Sequence, residues 1–259
     1  MSNLTSKEFW DSYWNEIDLP CTVDVTRPFE RCLIRKLDLL LERYLSGRKD
    51  ASIFEVGCAP GKWLAYLSLK HSLNPCGVEY LDKAYDATVR NLKSLNLSSN
   101  GIINGDFFKI ESRPMHDIVI SLGFIEHFND VDRVVERHLH WLKPGGILIL
   151  GVPNFSNING IIQKILNQNV LDAHNTNIMN KNYFHHIADK FNLNPDFIGH
   201  LGSFDPVMFI GDQNKPNKLQ FITNISLQIL KRIRKIKLLD YLNSTLYSSY
   251  ILSVYRKTD

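Results

Sequence analysis

Three carboxylates and two glycines carry the first legible chemistry of this chain. Glu55 lies at the end of the apolar stretch "IFEVG", Glu79 ends "CGVEY", and Asp106 sits in "NGDFF". After the first acid comes a turn from Gly57 through Cys58 to Gly61, then a run of helical spacing through Trp63, Leu64 and Leu67. Glycines at such a turn let the backbone bend tightly and approach a ligand closely. The spacing is not that of a dinucleotide loop, because Ala59 holds the middle position. It is not a Walker A loop either, because Trp63 follows Gly61-Lys62 where Ser or Thr is required. An acid two residues before the turn is poorly suited to a phosphate and well suited to a cation such as an amino group. Glu79, roughly 20 residues beyond Gly57, is placed to accept hydrogen bonds from both hydroxyls of a ribose. Asp106 can take an adenine amino group, with Phe107 packing on the ring.

The elements that must hold these residues alternate. Residues 50–57 read as a buried strand, 62–72 as a helix, "CGVEYLD" as a strand and "DKAYDATVRNLKSLNL" as an amphipathic helix. "GIING" and "HDIVISLG" read as strands, and "NDVDRVVERHLHWLKPGG" as a helix capped by Asn129 or Asp130 and stopped at Pro144-Gly145-Gly146. "ILILGVPN" is the most apolar strand. Continuous apolar runs suit parallel strands covered on both faces, and the alternation implies right-handed βαβ units. The fold class is therefore α/β, a doubly wound and mostly parallel sheet. Two helices precede it, "SKEFWDSYWNEI" and "FERCLIRKLDLLLERYL". Asn-rich helices and loops fill residues 155–192, "PDFIGHLGSF" is a sixth strand, a long helix covers residues 219–239, and "SSYILSVYRK" is a last β-rich run. With no Pro/Ser-rich linker, residues 1–259 read as one domain: a helical cap over 1–49, a core over 50–154, and the remainder over 155–259.

An amino acid, a ribose and an adenine with no phosphate describe S-adenosylmethionine. The stretches "FEVGCAPG", "GVEYLD", "NGDFF", "ISLGFIEHF" and "LKPGGILILGVPN", in that order, resemble the class I S-adenosylmethionine-dependent methyltransferases across residues 51–154. The terminal "SSYILSVYRK" is similar to the antiparallel strand which that family inserts beside the sixth, making seven strands in all with insertions after strands five and six. Ala59 departs from a frequent glycine without threatening the turn. The resemblance implies roles by position. Gly57, Cys58 and Gly61 line the methionine part, Glu55 takes the amino group, and Glu79 holds the ribose with Tyr80 beside the adenine. Asp106 and Phe107 receive the adenine, and Ser121, Leu122 and Gly123 lie under the sulfonium.

The methyl acceptor is less marked. His127, in "GFIEHF", is the candidate base, since an imidazole titrates near neutrality. In some quinone-type relatives an acid three positions before the Glu-His pair helps to bind a metal. Here that position is Gly123, so no metal site is expected. His174, His185 and His186 fall in the insertion that covers the acceptor in the family. Phe9, Trp10, Tyr13 and Trp14 are a packing stripe or a lid. Amino-directed DNA methyltransferases need an Asn/Asp-Pro-Pro-aromatic turn where "SLGFIEH" stands. Ribose-directed RNA enzymes need an Asp where Leu122-Gly123 stands, and no cysteine nucleophile closes that strand. A small metabolite or a saccharide remains as acceptor, through oxygen or nitrogen. The other readings are a binding or regulatory protein that kept the fold and lost turnover, and a methyltransferase acting on a membrane-associated lipid-linked glycan.

The net charge of +3 gives no reason to expect nucleic acid as a partner. The four cysteines, Cys21, Cys32, Cys58 and Cys76, lack zinc or redox spacing and read as buried thiols. The N-terminus shows neither a basic region nor an apolar core of a signal peptide, so the chain reads as cytoplasmic. An isoleucine stripe (Ile222, Ile225, Ile229, Ile233, Ile236) beside Lys231, Arg232, Arg234, Lys235 and Lys237 reads as a helix over the sheet or a peripheral contact with an anionic membrane through residues 222–237.

Overall fold

The strands alternate their burial as a sheet covered on both faces requires. In the computed structural model, which describes residues 4–5, 10, 18–26, 32–209 and 243–258, strand β1 (Ser52–Val56) turns Phe54 and Val56 to one side and Ile53 to the other. Strand β4 (His116–Leu122) sets Val119 against Ile118 and Ile120 in the same way. Strand β5 (Leu142–Pro153) sets Leu148, Leu150 and Val152 against Ile147 and Ile149. Each strand feeds two cores, which is why these runs are apolar throughout.

One core is closed by helix α1 (Cys32–Leu45), helix α2 (Lys62–His71) and helix α3 (Asp82–Ser94), through Leu37, Leu41, Leu64, Leu67 and Leu92. The opposite core is closed by helix α4 (Val131–Leu139) and, further along the chain, by the helix at Lys181–Lys190, through Val134, Val135, Phe184 and Ile187. Between these two helices lie α5 (Asn157–Leu166), α6 (Gln168–Asp172) and a 3-10 turn at Thr176–Ile178, so the Lys181–Lys190 helix is α7.

The remaining strands are β2 (Asn74–Glu79), β3 (Gly101–Asn104), β6 (Leu193–Leu201) and β7 (Tyr250–Lys257). The sheet order is β3-β2-β1-β4-β5-β7-β6. β1 to β5 are mutually parallel, and β7 runs antiparallel between β5 and β6. This is the expected seven-stranded, mostly parallel sheet. The order reverses between β1 and β4, so their following loops diverge to opposite faces and open a crevice.

One boundary differs from the sequence reading. Asp130 caps α4, accepting from the Arg133 amide at 3.2 Å, but the helix stops at Leu139. Pro144-Gly145-Gly146 belongs instead to an irregularity inside β5, where the pairing passes from His116 with Leu142 to Ile118 with Ile147. Gly145 has φ +70, the left-handed conformation that glycine accepts without strain. The N-terminal aromatics Phe9, Tyr13 and Trp14, and the whole 219–239 helix with its candidate membrane face, lie outside the described residues.

Candidate active site

The turn after β1 is fixed before any ligand is considered. Gly57 has φ +68, and its amide donates to the Val78 carbonyl at 3.0 Å. Gly61, with φ +80, precedes α2 and offers no side chain to cap it. The Leu64 amide, in the first turn of α2, favours the ionised form of Glu55 from across the turn. Burial is the stronger influence. Together with the charge of Glu79 it pushes the Glu55 carboxyl up to about 8. Glu55 Oε2 is buried with no hydrogen-bond partner. A cationic amino group is the kind of ligand that would satisfy it.

Glu79 closes the same site from β2. Its Oε1 accepts from the Tyr80 amide at 2.8 Å and the Leu81 amide at 3.1 Å, and Oε2 lies 3.4 Å from the Ala59 amide. Burial raises its carboxyl, opposed by these three amides. Tyr80, on the rim, is half exposed. Cys58 keeps its thiol out of the turn. Its side chain is buried against Gly77, and burial with the charges of Glu55 and Glu79 lifts it well above the ordinary thiol range.

The third acid is partly engaged. Asp106 Oδ1 accepts from the Phe108 amide at 2.9 Å, and Oδ2 lies 3.4 Å from Lys109 Nζ. Phe107, expected beside the adenine, has its side chain in the core. It is 4% exposed and packs edge-on against Phe108, Phe124 and His138, with the Arg137 guanidinium near its face. Arg137 also donates to the Phe107 and Ile110 carbonyls, and so holds this turn against α4. An apolar ring at the end of a short strand went to the nearer core. The ring beside the glycine turn is Phe124, which the sequence reading did not single out. A Cβ added at Gly57 would lie 2.9 Å from its Cδ2.

The floor between the two halves is the end of β4. Leu122 is half-buried, and Gly123, with φ +81, donates its amide to the Gly151 carbonyl at 2.8 Å. Ser121 turns into the core, 3.1 Å from Nε2 of the buried His138. The next residues form a 3-10 turn, Ile125–His127, and Glu126 and His127 are both buried within it.

The insertion after β5 is stitched onto this turn. Asn175 donates its amide to the Glu126 carbonyl at 2.6 Å and its side-chain Nδ2 to the Phe128 carbonyl at 3.1 Å. His127 Nδ1 lies 2.9 Å from the Ala173 carbonyl. The rings of His127 and His174 are 4.6 Å apart as a result, and Trp10 stands edge-on to His127 at 5.1 Å. Burial first, and then His174, lower the His127 imidazole to about 4, so it is neutral at pH 7. Glu126 Oε2 is buried without a partner, and burial pushes its carboxyl up to about 8. Of the other insertion histidines, His186 approaches Asp132 at 3.3 Å on the outer surface, away from this cluster.

Glu126, His127 and His174 each present one donor atom within 4.8 Å of the others. Glu126 and His127 are neighbours in the 3-10 turn after β4. His174 reaches them through the tertiary fold.

A family model for a methyltransferase domain matches residues 29–196. The chain belongs to that family, with the class I S-adenosylmethionine-dependent methyltransferase fold. The cofactor that goes with this family is S-adenosylmethionine. Over 122 residues it is 25% identical to the ubiquinone biosynthesis O-methyltransferase of Rickettsia prowazekii (strain Madrid E), covering 46% of this chain and 48% of that protein. The match thus spans about half the length of the curated relative. Among solved structures, phosphoethanolamine N-methyltransferase 2 of Haemonchus contortus superimposes with a TM-score of 0.59 at 14% identity, over 87% of this chain and 53% of that one. The geranyl diphosphate C-methyltransferase of Streptomyces coelicolor A3(2) superimposes with a TM-score of 0.58 at 13% identity, over 95% and 96%. Those three names cover oxygen, nitrogen and carbon acceptors, so the shared fold leaves the acceptor atom open.

Proposed function

We propose that this methyltransferase moves the sulfonium methyl of S-adenosylmethionine to an oxygen or nitrogen of a small metabolite or saccharide. The observation that carries this is the junction of two groups at the sheet's switch point. Glu55, Gly57 and Glu79 form the cofactor side, and Glu126, His127 and His174 form the acceptor side, with Gly123 between them. A Cβ added at Gly123 would lie 3.6 Å from Glu126 Oε1, so this glycine adjoins the acceptor side.

In the reaction a lone pair of the acceptor attacks the methyl carbon as the carbon–sulfur bond breaks, and the sulfonium becomes a thioether. The cofactor supplies the electrophile, and the protein supplies alignment and dry surroundings. The Ala173 carbonyl can only accept a hydrogen bond, so His127 Nδ1 carries the proton and Nε2 keeps its lone pair. Nε2 is the atom available to an acceptor's proton. An oxygen acceptor is supported by the name of the Rickettsia relative.

Methyl-tritiated S-adenosylmethionine, incubated with the protein and an extract of its source cells, tests the reading. Label should pass into a small-molecule or glycan fraction in step with S-adenosylhomocysteine formation. Label found only in protein or nucleic acid would sink it.

A further inference from the structure

We propose that Tyr250 is a further catalytic residue of the methyl transfer, its phenol hydroxyl donating a hydrogen bond to the attacking oxygen of the acceptor. The inference rests on the proposed function for its reaction and on separate geometry for its position.

The sheet puts this residue at the crevice. Tyr250 opens β7, paired with Pro153 at the end of β5 and with Leu201 at the end of β6. Because β7 runs antiparallel to β5, its first residue lies at the carboxyl edge of the parallel strands. Open α/β sheets hold their ligands along that edge.

From there the ring crosses β5 toward β4. A Cβ added at Gly151 would lie 2.6 Å from Tyr250 Cε1 and 2.8 Å from its Oη, and also 2.8 Å from Leu122 Cδ2. No side chain fits at such distances, so this glycine lets the hydroxyl come up beside Leu122. Leu122 and Gly123 are the residues assigned to the sulfonium end, and the Gly151 carbonyl accepts from the Gly123 amide at 2.8 Å.

Two observations make the hydroxyl a donor to a ligand. Among the described residues no group accepts its proton, whereas the Tyr183 and Tyr255 hydroxyls donate to Asp132 and to the Phe184 carbonyl, each at 2.7 Å. Burial first, then the charges of Glu126 and Glu55, hold the Tyr250 phenol well above its ordinary range, so it keeps that proton. The two carboxyls that act on it belong to the acceptor side and the cofactor side.

The chemistry balances without a co-reactant. The acceptor hydroxyl passes its proton to His127 Nε2, and one oxygen lone pair attacks the methyl carbon. The oxygen–carbon bond forms, the carbon–sulfur bond breaks, and its electron pair stays on sulfur. Negative charge gathers on the oxygen as the proton leaves, and Tyr250, donating to the second lone pair, stabilises it. With its imidazole lowered to about 4, chiefly by burial, His127 is a weak base, and a donor on the acceptor oxygen eases the proton's departure. A neutral amine has a single lone pair, used in the attack, so this hydrogen bond favours hydroxyl acceptors.

The test compares the full chain with Tyr250→Phe, which keeps the ring and its packing and removes only the hydroxyl. Saturating methyl-tritiated S-adenosylmethionine and a dilution series of source-cell extract give rates of label transfer into the small-molecule and glycan fraction. Calorimetry on the same preparations gives S-adenosylhomocysteine affinity and checks folding. Tyr250→Phe should lower the plateau rate at least tenfold, as loss of one donor to a developing charge does. Cofactor affinity and the half-saturating amount of extract should each stay within about twofold of wild type, the mark of an interaction made in the transition state. A smaller loss of rate would overturn the catalytic role. So would a tenfold loss of S-adenosylhomocysteine affinity, which would put the hydroxyl on the cofactor instead. In either case transfer by wild type leaves the methyltransferase reading standing. Wild type that labels nothing would overturn that reading and this inference together.

Discussion

Glu79, at the end of β2, reaches across to the turn after β1, with Oε2 3.4 Å from the Ala59 amide. Its other oxygen accepts from the Tyr80 and Leu81 amides, so the carboxylate is held by three backbone amides. Two loops that each follow a parallel strand are thereby tied together at the proposed cofactor site.

Glu79→Ala should weaken S-adenosylhomocysteine binding by about 1–3 kcal/mol, the cost of losing a charged hydrogen-bonding partner. Calorimetry decides the matter. Unchanged affinity in a folded Glu79→Ala protein would remove the ribose role. Comparable binding of NADH to wild type would contradict the cofactor assignment itself.

Gly57→Val should lose both stability and cofactor affinity. The left-handed φ costs a side chain about 1–2 kcal/mol, and the added carbon collides with Phe124. Adding Phe124→Ala to Gly57→Val should recover part of the thermal midpoint by removing the collision. No recovery would mean that the backbone angle alone sets the cost.

His127→Ala should cut turnover by about 10²–10⁴-fold while leaving cofactor affinity intact. Steady-state rates and calorimetry on the same preparation give the comparison. A loss smaller than tenfold would reduce His127 to a packing residue beside Trp10 and His174.

Cofactor binding should release a proton near neutral pH. Without ligand, Glu55 is neutral below about 8 because burial disfavours its charge. Pairing with the cofactor's ammonium requires the carboxylate, so binding drives the proton off. Affinity should therefore rise with pH toward about 8, by up to tenfold per unit, and level off where the cofactor's own amino group begins to lose its proton. Calorimetry at pH 7 in buffers of different ionisation enthalpy should show close to one proton released. Glu55→Gln should abolish that release. Proton uptake, or none, in wild type would exclude this role for Glu55.

The local grammar of this chain is written in its sequence. Apolar runs, the Gly57–Gly61 turn and acids at successive strand ends follow from backbone geometry over a few residues, and they located β1 to β5, Glu55 and Glu79. The place of β7 between β5 and β6 came from likeness to a family, since no local pattern states which strands pair. Side-chain direction was not legible. Phe107 follows Asp106 directly yet turns into the core, Cys58 points at Gly77, and Phe124 takes the place beside Gly57. Packing against α4 and β2 decides those rotamers, and neither is near in sequence. The clearest limit is His174. It lies in an Asn-rich insertion without strong periodicity, and only the hydrogen bonds of Ala173 and Asn175 to the 126–128 turn bring it beside His127. Spacing along a chain can fix ligands that share one helix or turn. A cluster assembled from two loops separated by three helices and a strand exists only once the sheet has folded and closed the distance between them.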